Sequence, residues 1–206
     1  MSMAEALDRL TRLLPPPKGE VARVPWNRSS TEIGLEFPAD YREFVDRYGG
    51  GHLTSKRKPL EFSIRAPCSV GWTPESPSGF RALLNYQIEQ VRPLFVFDGA
   101  DEGYWGGTVY PVHPDPGGLW AWGKHEGGDA FFWLMEGLDP DRWPVVMWAR
   151  GPATTYRFEG GMVEFLLAVF QGEHPASKWL GGRNLRWTMT SDWMRRGLKV
   201  SAGTAA

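Results

Sequence analysis

The sequence predicts an α+β fold in which a meander-rich antiparallel sheet packs against N-terminal and C-terminal helices. Helical periodicity fills the first fifty residues, short aromatic runs split by Gly, Pro and Asp clusters follow, and an amphipathic helix comes after them. A balance of 42% hydrophobic to 23% charged residues belongs to a globular chain, and 206 residues suffice for one sizeable domain. A chain that long buries roughly 70% of its unfolded surface, so its core needs neither disulfide nor metal.

Leu7, Leu10 and Leu14 fall at helical spacing, and Pro15 to Pro17 end that first helix. In FPADYREFVDRYGGG, Pro38 suits the first helical position, where its missing N–H is no loss. Tyr41, Phe44, Val45 and Tyr48 then make one buried stripe, and Gly49 closes the helix. Asp40, Arg42, Glu43, Asp46 and Arg47 fall off that stripe. From Leu60 the period changes: Leu60, Phe62 and Ile64 alternate with Glu61, Ser63 and Arg65, as in a half-buried strand.

A helix is expected where Phe80, Leu83, Leu84, Ile88 and Val91 keep a stripe, followed by a short buried strand, LFVF. The runs GTVYPV, LWAWGK, DAFFWLM, PVVMWAR and TTYRF read as the strands of a meander. KHEGGD reads as a hairpin loop in which Gly127 and Gly128 supply positive φ. Met162, Phe165, Leu166, Val169 and Phe170 make the closing helix, stopped by Gly172. Residues 1–174 are thus expected to form the domain, and 175–206 a basic extension containing Trp179, Trp187 and Trp193.

Cys68 is the only cysteine, so no intramolecular disulfide can form and a cytoplasmic location is expected. Glu5, Asp8, Arg9 and Arg12 interrupt the N-terminal apolar residues, which read as an amphipathic helix and not a signal peptide. No run is long enough to span a membrane. His52, His113, His125 and His174 are scattered without metal-ligand spacing. Gly49 to Gly51 follow a helix, whereas a phosphate loop precedes one. DGADEG lacks the spacing of a calcium loop. No catalytic residue, metal or cofactor is therefore assigned.

Three landmarks, taken in order, resemble the SUKH superfamily, which includes fungal cell-wall regulators and many bacterial immunity proteins. TEIGLEFPADYREFVDRYGGG looks like its helix-proline-helix start, and LWAWGKHEGGDAFFWLM like its central hairpin. DPDRWPVVMWARG followed by MVEFLLAVF is similar to its closing strand pair and terminal helix. The resemblance covers roughly residues 31–170; the stretch 80–116 is longer than a minimal member needs, and the tail lies outside the pattern. It implies a non-catalytic immunity protein that binds and neutralises a cognate toxin in a bacterial polymorphic toxin system. A regulatory protein-binding scaffold and an unrecognised hydrolase are the alternatives.

Charge suggests where a partner would dock. Asp98, Asp101, Glu102, Asp115, Glu126, Asp129, Glu136, Asp139 and Asp141 stand against Lys124 alone, a balance of −8, whereas residues 177–206 carry +5. Tyr104, Trp105, Trp120 and Trp122 lie among the acids. Acids beside aromatic anchors suit a basic protein, such as a nuclease toxin whose own site binds phosphates. The expected contact residues are Asp98, Asp101, Glu102, Tyr104, Trp105, Glu126 and Asp129. Arg186, Trp187, Arg195 and Arg196 offer nucleic-acid contacts as one reading, but Trp179, Trp187 and Trp193 are expected to pack on the core instead, and the oligomeric state is left open.

Overall fold

The computed structural model describes residues 2–55, 62–67, 89, 110–178, 180 and 185–189. Along the chain these form α1 (Met3–Leu13), α2 (Trp26–Ile33), α3 (Ala39–Tyr48), β1 (Gly51–Ser55), β2 (Phe62–Ile64) and β3 (Leu119–His125). Then come β4 (Ala130–Leu134), β5 (Val145–Ala149), β6 (Thr154–Phe158), α4 (Met162–Gln171) and β7 (Leu185–Met189). The strands make one antiparallel sheet in the order β6-β5-β4-β3-β2-β1-β7, so the chain adopts the α+β fold. Among the described residues no helix is long and apolar enough to cross a membrane. The helix expected at 80–91, the LFVF strand and Cys68 lie outside the described residues. Of GTVYPV, the described part makes only an isolated bridge between Val112 and Leu119.

The stripe on α3 is buried as its spacing requires: Tyr41, Phe44, Val45 and Tyr48 are all 0% exposed. The helix starts one residue later than expected, with Pro38 at the N-cap, and Gly49 (φ 69°) ends it. The two tyrosines do more than fill space. Tyr41 donates its hydroxyl proton to the Arg65 carbonyl, and Tyr48 donates to Leu14 O at 2.6 Å, which ties the end of α1 to α3. Tyr41 meets Trp133 of β4 edge to face at 5.0 Å, and this sets the helix on the sheet.

Strands β3, β4 and β5 alternate between two apolar clusters. Trp120, Trp122, Phe131, Trp133, Val145 and Met147 face the helices, while Leu119, Ala121, Ala130, Phe132, Leu134, Val146 and Trp148 form a second buried cluster. Burial on both sides explains why these strands read as nearly unbroken apolar runs. The register of β3 against β4 shifts between Ala121 and Gly123, so Trp122 is the extra residue of a bulge. It lies against Phe131 and Phe165. The half-buried reading of β2 needs correction too: Phe62, Ser63 and Ile64 are all buried, with the Ser63 hydroxyl on Lys124 O at 3.3 Å.

Part of the tail expected beyond residue 174 belongs to the sheet. β7 pairs along the whole of β1, from Gly51 opposite Met189 to Ser55 opposite Leu185. Trp187 packs edge-on to Phe44 and Tyr48, so this part of the tail completes the sheet.

Candidate functional site

Helices α1, α3 and α4 run in the same direction. Met3 and Ala6 of α1, Ala39 and Asp40 of α3, and Val163 and Glu164 of α4 line one cleft with Gly161 and Asp141. Toward their other ends, Arg9 Nη2 lies 3.4 Å from Gln171 Oε1, and the Tyr48 hydroxyl reaches Leu14. Parallel neighbours bring three positive helix ends together, each equivalent to about half a unit charge. The sequence answers with an acid in each first turn, Glu5, Asp40 and Glu164, and with Arg12 and Arg47 in the last turns of α1 and α3.

Neither α3 nor α4 has a side-chain cap of its own, since Pro38 and Gly161 occupy those positions. Their orphan N–H groups are capped from elsewhere in the fold. Asp141 Oδ1 accepts from Ala39 N at 2.6 Å, and Asp40 Oδ2 accepts from Val163 N at 2.9 Å. Asp139 in turn accepts from Asp141 N at 3.1 Å, which fixes the loop between β4 and β5. Each carboxylate thus anchors an element distant in sequence.

Asp40 lines this cleft, whose volume is about 400 Å³. Its Oδ1 is buried and has no hydrogen-bond partner among the described residues. Burial pushes its pKa up to about 6; the Val163 and Tyr41 N–H groups oppose that rise, and Asp141 and Glu164 add to it. Gly161 is required here because a Cβ would collide with Asp40 Oδ2. Sequence reading missed Asp40 and Glu164 because both fall off the apolar stripes. A signal was present: each helix begins without Ser, Thr, Asp or Asn at its cap.

Of the contact residues expected from sequence, Asp98, Asp101, Glu102, Tyr104 and Trp105 lie outside the described residues. Glu126 is exposed at the tip of the β3–β4 hairpin. Asp129 is only 6% exposed, so its carboxylate is turned into the protein. Its Oδ1 accepts from Arg150 N at 2.9 Å, and its Oδ2 lies 3.1 Å from His125 Nδ1. That nitrogen is also 3.2 Å from Gly127 N, and it can serve only one of the two at a time, as donor to the carboxylate or acceptor from the amide. Only Gly128 of the two hairpin glycines has positive φ, 96°, and a Cβ there would lie 2.6 Å from Arg150 Cδ. Asp129→Ala should therefore cost about 0.5–1.5 kcal/mol of stability, by removing the acceptor of a part-buried N–H. Chemical denaturation checks this; an unchanged midpoint would show that Asp129 does not hold the turn.

The expected docking aromatics are also relocated. Trp120 and Trp122 are 1% and 0% exposed, within the core facing the helices. The acids divide between the two ends of the sheet. Glu126 is at the hairpin end, while Glu136, Asp139 and Asp141 belong to the β4–β5 loop at the other. Asp115 joins the second group, because its turn meets Met135 through Gly118 O. Glu159 joins it through Arg157, which bonds Glu136 at 2.8 and 2.9 Å and Glu159 at 2.5 Å. Compared with known proteins, the chain matches no family model, no curated protein and no solved structure.

Proposed function

We propose that this chain is a cytoplasmic, non-catalytic immunity protein of the SUKH kind that binds a cognate toxin and holds it inactive. Contact would be made at the end of the sheet where α3 and α4 begin. The observation that supports the reading is the concentration of carboxylates there. Asp40, Asp115, Glu136, Asp139, Asp141, Glu159 and Glu164 outnumber Arg142 and Arg157 in the same loops and Arg42 in the first turn of α3, and Arg157 is already held by Glu136 and Glu159. Leu138, fully exposed at the tip of the β4–β5 loop, adds an apolar contact beside them. Such a surface suits a basic protein, with charge governing encounter and discriminating among partners.

The test is binding to the product of an adjacent toxin gene, with toxin activity measured in parallel. Wild-type protein should bind and inhibit at stoichiometric ratio, and affinity should fall as salt rises. Asp139→Lys combined with Glu136→Lys should weaken binding by about tenfold, mainly through slower association. A toxin left fully active by excess protein would sink the reading.

A further inference from the structure

We propose that the cleft between the starts of α1, α3 and α4 receives one basic side chain, arginine or lysine, from the partner protein. This rests on the preceding reading that the partner is a basic protein. The sign of the cleft decides between cation and anion. Three helix ends supply roughly 1.5 positive charges between them. Asp40, Asp141 and Glu164 line the same space, and Glu5 lies in the first turn of α1. The carboxylates outweigh the helix ends, so the cleft prefers a cation.

The buried oxygen points to the same ligand. Asp40 Oδ2 is engaged by Val163 N and the Tyr41 N–H also acts on the carboxyl, whereas Oδ1 makes no direct hydrogen bond among the described residues. A buried acceptor without a donor is unfavourable, and an N–H of a guanidinium or ammonium group would supply one. The remaining lining fits the stem of such a side chain. Met3, Ala6, Ala39 and Val163 give apolar wall, against which methylene groups can lie while the charged head meets the acids.

Size and donor set weigh against the nearest competitors. A volume of about 400 Å³ is at the small end for ligand sites and suits a side chain better than a nucleotide. Among the described residues no group of three or more His, Cys, Asp or Glu is arranged to hold a metal ion. A divalent cation is thus a poorer fit than an organic one.

The experiment titrates the full chain with N-acetyl-arginine amide and, separately, with its neutral isostere N-acetyl-citrulline amide. The Ala39 and Val163 amide resonances are followed by NMR, because those N–H groups donate to Asp141 and Asp40. Saturable shifts in the millimolar range with arginine and none with citrulline are expected. Glu164→Lys, which places a tethered ammonium at the cleft, should abolish them. Equal responses to the two probes, or none to either, overturn the proposal.

Toxin affinity separates this inference from the reading beneath it. Glu164→Lys should weaken toxin binding by about 30-fold or more if a basic side chain is anchored there. Undiminished binding of the variant overturns the cleft as anchor and leaves the immunity reading standing. Wild-type protein that ignores the toxin but passes the arginine titration overturns that reading and supports the chemistry of the cleft.

Discussion

Replacing Trp187 by alanine is expected to lower the free energy of unfolding by about 3–5 kcal/mol, the range for deleting a buried aromatic side chain. Trp187 is 8% exposed, in a strand at the edge of the sheet. Its ring lies edge-on to Phe44 at 5.3 Å and Tyr48 at 6.0 Å. Its Nε1 donates to Tyr48 O at 2.7 Å, a carbonyl at the end of α3 that has no partner within its own helix. Alanine would open a cavity and strand that carbonyl together. Because the hydroxyl of the same tyrosine holds Leu14, the loss should reach α1.

Trp187→Phe keeps most of the ring and removes the donor, so it should cost about 1–2 kcal/mol and separate packing from hydrogen bonding. Urea unfolding of the three proteins measures both differences. A loss below about 1 kcal/mol for the alanine variant would mean that β7 contributes little, and that residue 174 is a working domain limit after all.

Which features the sequence discloses follows from how local they are. The stripe on α3 and the stop at Gly172 involve residues one or two turns apart, and both stand in the structure where periodicity places them. The runs that form β3 to β6 are legible for the same reason, because each is bounded by its own turn residues. The place of β7 is not local. It pairs with β1 130 to 138 residues earlier, and a sequence with its own turns and a change of net charge reads as an appendage. The acidic segment divides for a different reason. Acids crowded between 98 and 141 look like one patch, but antiparallel strands send successive loops to opposite ends, separating Glu126 from Glu136 and Asp139. In the sequence Asp40 is only a residue off the apolar stripe of its helix, and its role depends on Val163, 123 positions away.

Asp40→Asn should remove a pH dependence from the stability of the protein. In the folded state Asp40 holds its proton up to about pH 6, against an ordinary 3.8. Between those values the folded chain binds more protons than the unfolded chain, so stability falls as pH rises through the window and levels off above it. The difference corresponds to roughly 2–3 kcal/mol, and asparagine, which cannot ionise, lacks it. Relative to wild type, the variant should therefore gain that amount between pH 4 and pH 7. The comparison must be a difference between the two proteins. His174 and His113 have pKa values lowered by burial, so they destabilise the fold as pH drops below their ordinary 6.5 and act against Asp40 in part of the same range. Both histidines are present in both proteins and cancel on subtraction. Parallel stability curves would show that the Asp40 carboxyl is not held in this environment. Asp141 and Glu164 raise its pKa further, so Glu164→Gln should move the midpoint of the window downward. A cation beside Asp40 acts in the same direction, because it stabilises the carboxylate. Saturating N-acetyl-arginine amide should therefore narrow the wild-type window and leave the asparagine curve where it was. Stability measured against pH thus reports on the cleft without any toxin in hand.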